Sequence, residues 1–367
     1  MFSERDLQYN RGIIAPLSQV TRIIDVATAS CIGLLGNALS NSRPEMLKKT
    51  ILVTGASGFV GSAVVERFAA EGHSMRITSR GAAQPFGRDG VRQYGGVDLR
   101  APGSWTAPLE GADVVVHCGA RVHVVKELSL DPMTEFRRDN VEATLALATQ
   151  AAKVGVKRFV YVSSIGVNGA ETFDRPFGPD DAPAPHSPYA QSKLEAERAL
   201  KTLAVHTGLE LAIVRPPLVY GPLAPGNFGA LVRTVLRGTP LPFGAVRNRR
   251  SLVARANLVD LLLRCAVDTQ AAGHTLMVSD GDDISTPELL HHIGRALGRP
   301  VRLFPVPPAP MRTLAGWLGR AAILQSLCGS LQVDITRTCL LLNWTPPVRF
   351  TDAVGEAARS YLPGPAA

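Results

Sequence analysis

The stretch TILVTGASGFVG, residues 50–61, decides the fold. The apolar run 51–54 reads as a buried parallel strand. It passes directly into Gly55, Ala56, Ser57, Gly58, Phe59, Val60 and Gly61, a GxxGxxG turn that opens a helix. Gly55 permits the tight turn, Gly58 lets backbone amides approach a pyrophosphate, and Gly61 lets the helix pack closely on the strand. The positive end of that helix then faces the phosphates. A glycine triplet alone is a weak signal. Its place between a strand and an amphipathic helix is what specifies a dinucleotide cradle.

Outward from this turn the chain alternates short apolar runs, 113–118, 158–163 and 211–215, with helical stretches expected over 58–71, 133–153, 189–206 and 228–237. The order is a repeating βαβ, so the fold class is α/β, a Rossmann doubly wound parallel sheet. Past Pro216 the pattern loosens into Pro- and Gly-rich loops, which predicts a smaller C-terminal substrate-binding lobe. Residues 49–215 are therefore expected to bind the dinucleotide and 216–367 mainly the substrate. Residues 1–48 read as an extension, without the layout of a secretory leader because Glu4 and Asp6 accompany Arg5. Met46 stands just ahead of the first strand, so the extension is expected to be dispensable.

Bulk composition narrows the function classes. The 367 residues are 46% hydrophobic, and the 19% that are charged mix both signs, as a globular chain requires. The net charge is +8, but no basic stripe interleaves with aromatics, so nucleic acid is not the expected partner. Cys31, Cys118, Cys265, Cys328 and Cys339 are widely spaced with no CxxC pair. Neither a disulfide framework nor a metal site is expected, and a reducing cytoplasm suits them. No apolar run is long enough to span a membrane.

The second predicted strand, 75–80, ends in Ser79 and Arg80, where an NAD enzyme would offer an acid to the ribose 2′-hydroxyl. An arginine there suits a 2′-phosphate, so NADP(H) is favoured over NAD(H). Asp98 and Leu99 are placed to flank an adenine, and Cys118, Gly119 and Ala120 end the fourth strand under the dinucleotide. Tyr189 and Lys193 in SPYAQSK lie four apart, on one helix face. A phenol with a pKa of about 10 is a poor base at neutral pH, and a neighbouring ammonium is expected to lower it. Lys193 is also placed to hold the nicotinamide ribose. Ser164, at the carboxyl end of a strand, opens onto the ligand crevice and can hydrogen-bond a substrate hydroxyl or carbonyl.

These segments, with VDL (97–99), VVHCGA (115–120), NVEAT (140–144), VSSIGVNG (162–169), RPPLVYGP (215–222) and LNW (342–344), make residues 50–347 resemble a known family. It is the extended short-chain dehydrogenase/reductases, in the NAD-dependent epimerase/dehydratase branch that includes UDP-galactose 4-epimerase. The resemblance implies a base at Tyr189, its partner at Lys193 and a substrate-oxygen contact at Ser164. It also implies cofactor contacts at Asn140 and in the loop at Pro216, and nucleotide-diphosphate and sugar contacts at Asn227 and Arg250. The chain departs from the pattern at Ala254, Arg255, Ala256 and Asn257, where relatives carry a segment like Tyr-Val-Asp-Asn. Ile165, Gly166 and Val167 follow Ser164 without the acid that dehydratases use.

The expectation is thus hydride transfer at C4 of a UDP-linked (N-acetyl)hexose, first as a 4-keto-6-deoxy-sugar reductase using NADPH. The alternative is a UDP-hexose or UDP-N-acetylhexosamine 4-epimerase. A hydroxysteroid-type dehydrogenase and a non-catalytic NADP(H) sensor stand behind these. A homodimer is the expected assembly.

Overall fold

The strand that carries the glycine turn, β1 (Thr50–Thr54), lies inside a seven-stranded sheet of order β3-β2-β1-β4-β5-β6-β9. The structure is a computed structural model that describes residues 47–81, 90–98, 100, 101, 103–122, 131–317, 319 and 321–363. The other strands of this sheet are β2 (Ser74–Thr78), β3 (Val91–Tyr94), β4 (Val114–His117), β5 (Arg158–Val162), β6 (Glu210–Arg215) and, much later in the chain, β9 (Thr275–Met277). Every pairing is parallel. Ile51, Leu52, Val53, Val114, Val115 and Val116 are fully buried, as expected of parallel strands covered on both faces by helices. The strand order reverses between β1 and β4, and in such a sheet the ligand crevice opens at that reversal, beyond the strands' carboxyl ends.

Helices Phe59–Ala70, Pro188–Thr207 and Asn227–Leu236 lie where the sequence pattern predicts them. The helix expected over 133–153 is instead built in three parts: Pro132–Arg137, a π turn at Arg138–Glu142, and Ala143–Lys153. The wide turn carries Asn140, whose side chain bonds to the backbone of Arg121 and to Ser192 rather than standing free. Single π turns of this kind gather at functional sites.

A second sheet of three strands, β10-β8-β7, is formed by β7 (Leu218–Tyr220), β8 (Arg250–Ala254) and β10 (Asp283–Ile284). Tyr220, Phe228, Val232, Leu290, Ile293 and Val354 form the core beneath it. The chain beyond Arg215 is not confined to that lobe. β9 pairs with β6, and helix Arg255–Val267 packs on helix Phe59–Ala70, with Arg67 and Asp260 3.3 Å apart. The described residues from Lys48 onward form one compact unit. The expectation for the N-terminal extension lies outside the described residues, apart from Leu47 and Lys48. Among the described residues no helix is long and apolar enough to cross a membrane.

Candidate active site

The glycine turn leaves no room for side chains. Gly55 has φ +69°, and a Cβ on it would stand 2.7 Å from the Gly119 amide nitrogen. A Cβ on Gly61 would fall on the Gly55 carbonyl oxygen. The loops after β1 and β4 therefore touch backbone to backbone, and helix Phe59–Ala70 begins at Gly58 with no side-chain cap. A concave backbone at a helix N-terminus fits a dinucleotide pyrophosphate. Ser57, Phe59 and Val60 belong to this turn. Cys118, Gly119 and Ala120 follow β4 beside it, and burial pushes the Cys118 thiol up to about 12.

β2 stops at Thr78, so Ser79 and Arg80 follow the strand rather than end it. Ser79 donates its amide to Tyr94 O at 3.0 Å and its hydroxyl to Gly81 O at 3.1 Å, and accepts from Gln93 Nε2 at 3.1 Å. No acid stands among residues 79–81. Asp98 accepts from the Arg100 amide at 3.0 Å. Leu99 lies outside the described residues.

Ser187 caps helix Pro188–Thr207 by accepting from the Ala190 amide, which sets Tyr189 in the first turn and Lys193 one turn deeper. Lys193 is buried. Its Nζ donates to Val162 O at 2.8 Å and lies 4.6 Å from the Tyr161 ring centre and 5.9 Å from that of Tyr189. Burial pulls Lys193 down to about 8 and pushes Tyr189 up to about 12. The expectation that the ammonium lowers the phenol is thus reversed. Desolvation is the cause that acts on Tyr189, and the ammonium is directed at the Val162 carbonyl.

Ser164 opens a short turn and accepts from the Gly166 amide at 3.1 Å. A Cβ on Gly166 would stand 3.3 Å from both Ser164 Oγ and Ala190 Cβ, so this glycine lets the serine turn and the tyrosine helix meet. Pro216 O accepts from the Ile165 amide at 2.9 Å, which ties the loop after β6 to the same turn.

A buried network missed by sequence reasoning lies under this pair. Glu197 accepts from Ser163 Oγ at 2.5 Å and from both arms of the Arg215 guanidinium at 2.9 and 2.5 Å. Arg215 also donates to Asn168 Oδ1 at 2.9 Å. Glu197 stands four residues after Lys193, and that spacing was the available signal. A second network joins His117 to Thr54 at 2.6 Å and Thr144 at 2.9 Å, with burial holding His117 down to about 3 and therefore neutral. Asn140 braces the loop after β4 against Ser192, the neighbour of Lys193.

Asn227 and Arg250 line one pocket with Leu218, Leu252, Ser285 and Leu327. Arg250 donates to Gly329 O at 2.9 Å, and Asn227 Nδ2 donates to Ser326 Oγ at 3.1 Å. Buried Asn248 holds the chain just before Arg250 by bonding Thr286, Leu327 and Gly329. In the departing segment, Arg255 lies 4.6 Å over the Phe59 ring, and Asn257 bonds Asp280 and Val348. Among the described residues no group of three His, Cys, Asp or Glu side chains could hold a metal ion.

A parallel sheet that reverses at a glycine cradle, with a serine, a tyrosine and a buried lysine at its carboxyl edge, defines a nicotinamide-dependent enzyme of the extended short-chain dehydrogenase/reductase class. Residues 51–278 match the NAD dependent epimerase/dehydratase family, and the chain belongs to it. A UDP-glucose 4-epimerase of Vibrio cholerae is 39% identical over 318 residues, which is 86% of this chain and 96% of that protein. An Escherichia coli O157:H7 protein named N-acetyl-alpha-D-glucosaminyl-diphospho-ditrans,octacis-undecaprenol 4-epimerase is 26% identical, over 74% of this chain and 79% of its own. Among solved structures, MoeE5 in complex with UDP-glucose and NAD aligns with a TM-score of 0.67 at 25% identity, covering 85% of this chain and 98% of its own.

Proposed function

We propose that this chain is an NADP(H)-dependent reductase acting at C4 of a UDP-linked 4-keto-6-deoxy-(N-acetyl)hexose. The observation that carries the choice is the end of β2, where Ser79 and Arg80 stand in place of an acid. A dissociable NADP(H) suits net reduction, and when bound it supplies the hydride. Residues 49–215 would hold it, through the glycine turn, Arg80, Lys193 and the loop after β4. Residues 216–367 would mainly hold the substrate, with Arg250 and Asn227 toward the diphosphate. The planar guanidinium fork matches phosphate oxygens.

At the reacting carbon, Ser164 would orient the C4 carbonyl oxygen. Tyr189, with its phenol pushed up to about 12 by burial, is protonated at neutral pH and would give that proton to the oxygen as its charge develops. The Lys193 ammonium then stabilises the phenolate left behind. Ile165, Gly166 and Val167 provide no acid for loss of water, which sets dehydration aside. We assign the chain to the cytoplasm as a homodimer.

The second reading is 4-epimerisation of a UDP-hexose or UDP-N-acetylhexosamine, favoured by the 39% identity to the Vibrio cholerae protein. Incubation of the purified chain with a UDP-4-keto-6-deoxyhexosamine and NADPH separates the two. Oxidation of NADPH with formation of the 4-hydroxy sugar supports the reductase. No oxidation, together with interconversion of UDP-glucose and UDP-galactose by protein that retains NAD, establishes the epimerase.

A further inference from the structure

Between Glu288 and Asp334 the chain contains no aspartate or glutamate, but carries Arg295, Arg299, Arg302, Arg312 and Arg320. Arg295, Arg299, Arg302 and Arg312 are exposed. Arg312 meets Glu171 at 3.6 Å, while His291, Arg295 and Arg299 line one open hollow. The same segment holds two adjoining helices, Pro308–Trp317 and Ala321–Cys328. Met311, Leu324 and Leu327 turn inward onto the C-terminal core, yet the outward side is apolar too: Trp317 is 84% exposed, Ile323 52% and Phe304 46%.

We propose that this helix pair and its arginine flank form a docking surface for an anionic lipid bilayer. Exposed tryptophan and isoleucine in a segment that carries five arginines and no acid of its own is the composition that partitions into a headgroup layer, apolar side chains toward the acyl boundary and guanidinium groups on lipid phosphates. A second copy of the chain is a poorer occupant, because a two-fold contact through this segment would set its arginines against one another, with Glu171 already paired to Arg312 and no acid in the segment itself. A nucleic acid would satisfy the charge but give Ile323 and Trp317 no apolar phase. The inner helix of the pair supplies Ser326 and Leu327 to the pocket that holds Asn227 and Arg250. Docking would therefore bring that pocket to the bilayer surface, whichever sugar it takes.

Trp317 provides the probe, since Trp105 and Trp344 are only 1% and 4% exposed. The full chain is mixed with vesicles of equal parts phosphatidylglycerol and phosphatidylcholine, and separately with phosphatidylcholine alone. Expected are co-sedimentation and a blue shift of tryptophan emission with the anionic vesicles only, both reversed by high salt. Trp317→Ser should remove the shift. Arg299→Glu combined with Arg302→Glu should weaken vesicle binding by about tenfold or more with thermal melting unchanged. Ile323→Ser serves as a second apolar variant should Trp317→Ser lower the melting temperature. Absence of vesicle binding overturns the proposal, as does binding that none of these variants changes. It is equally overturned by a dimer that dissociates in Trp317→Ser, or by salt-reversible binding to duplex DNA without vesicle binding.

Discussion

Lys193 is buried with its Nζ on Val162 O, and the proposed mechanism requires it to stay charged so that it can hold a phenolate at Tyr189. Its pKa of about 8 makes turnover fall as pH rises through that value, measurable in a pH profile of kcat. Stability moves the other way. Between about 8 and 10.5 the unfolded chain binds more protons at this lysine than the folded one, so stability from this group rises with pH across that window. His117 acts on the acid side by the same sign. Held at about 3 against 6.5, it binds fewer protons folded than unfolded between those values, so stability falls on acidification. His117→Gln should flatten the fall in melting temperature over that range. Tyr189→Phe should lower turnover by roughly 10²- to 10⁴-fold, because it deletes the proton donor. Dinucleotide affinity, read by nicotinamide fluorescence, should stay within a few-fold, because the glycine cradle is untouched. Retention of a tenth of the activity would contradict the role given to Tyr189. Ser164, Tyr189 and Lys193 were legible because short spacing on one helix and one strand end encodes them. The network joining Glu197, Arg215 and Asn168 was not, although Glu197 follows Lys193 by one helical turn, since three separate elements meet only in the folded chain.

At the scale of elements, the glycine turn is the most constrained piece of backbone. Gly61→Ala would drive a methyl group into the Gly55 carbonyl, and overpacking of this kind costs about 1–3 kcal/mol. The expected outcome is a lower melting temperature and at least about tenfold weaker dinucleotide binding, checked by titration. Arg215 links β6 to helix Pro188–Thr207 through Glu197, both almost fully buried. Arg215→Met would leave the carboxylate buried and unpaired, which costs about 3–5 kcal/mol. Denaturant unfolding should show that loss, and Glu197→Gln combined with Arg215→Met should recover part of it. The central strands were legible because burial on both faces leaves uninterrupted apolar runs. β7 and β10 were not, being only 3 and 2 residues long, and β9 was not, because its partner β6 lies some sixty residues earlier. The π turn at Arg138–Glu142 left no periodic trace, because one wide turn shifts a helical pattern too little to be seen in sequence.

For the whole molecule, the family follows from sheet, cradle and site together, while direction and coenzyme rest on a few charges. A charge-assisted contact from Arg80 to a 2′-phosphate is worth about 1.5–3 kcal/mol, so NADPH should be preferred over NADH by about tenfold or more. Arg80→Asp should flatten or reverse that preference, read as the ratio of kcat/KM for the two coenzymes. Net reduction is tested most directly by a single turnover with NADPH deuterated at the transferred position and a UDP-4-keto-6-deoxyhexosamine, the product being read by NMR. A reductase should leave deuterium at C4 of one stereoisomer, with one NADP⁺ formed for each sugar reduced. A product without deuterium, from protein that keeps its NAD and interconverts UDP-glucose with UDP-galactose, would contradict it.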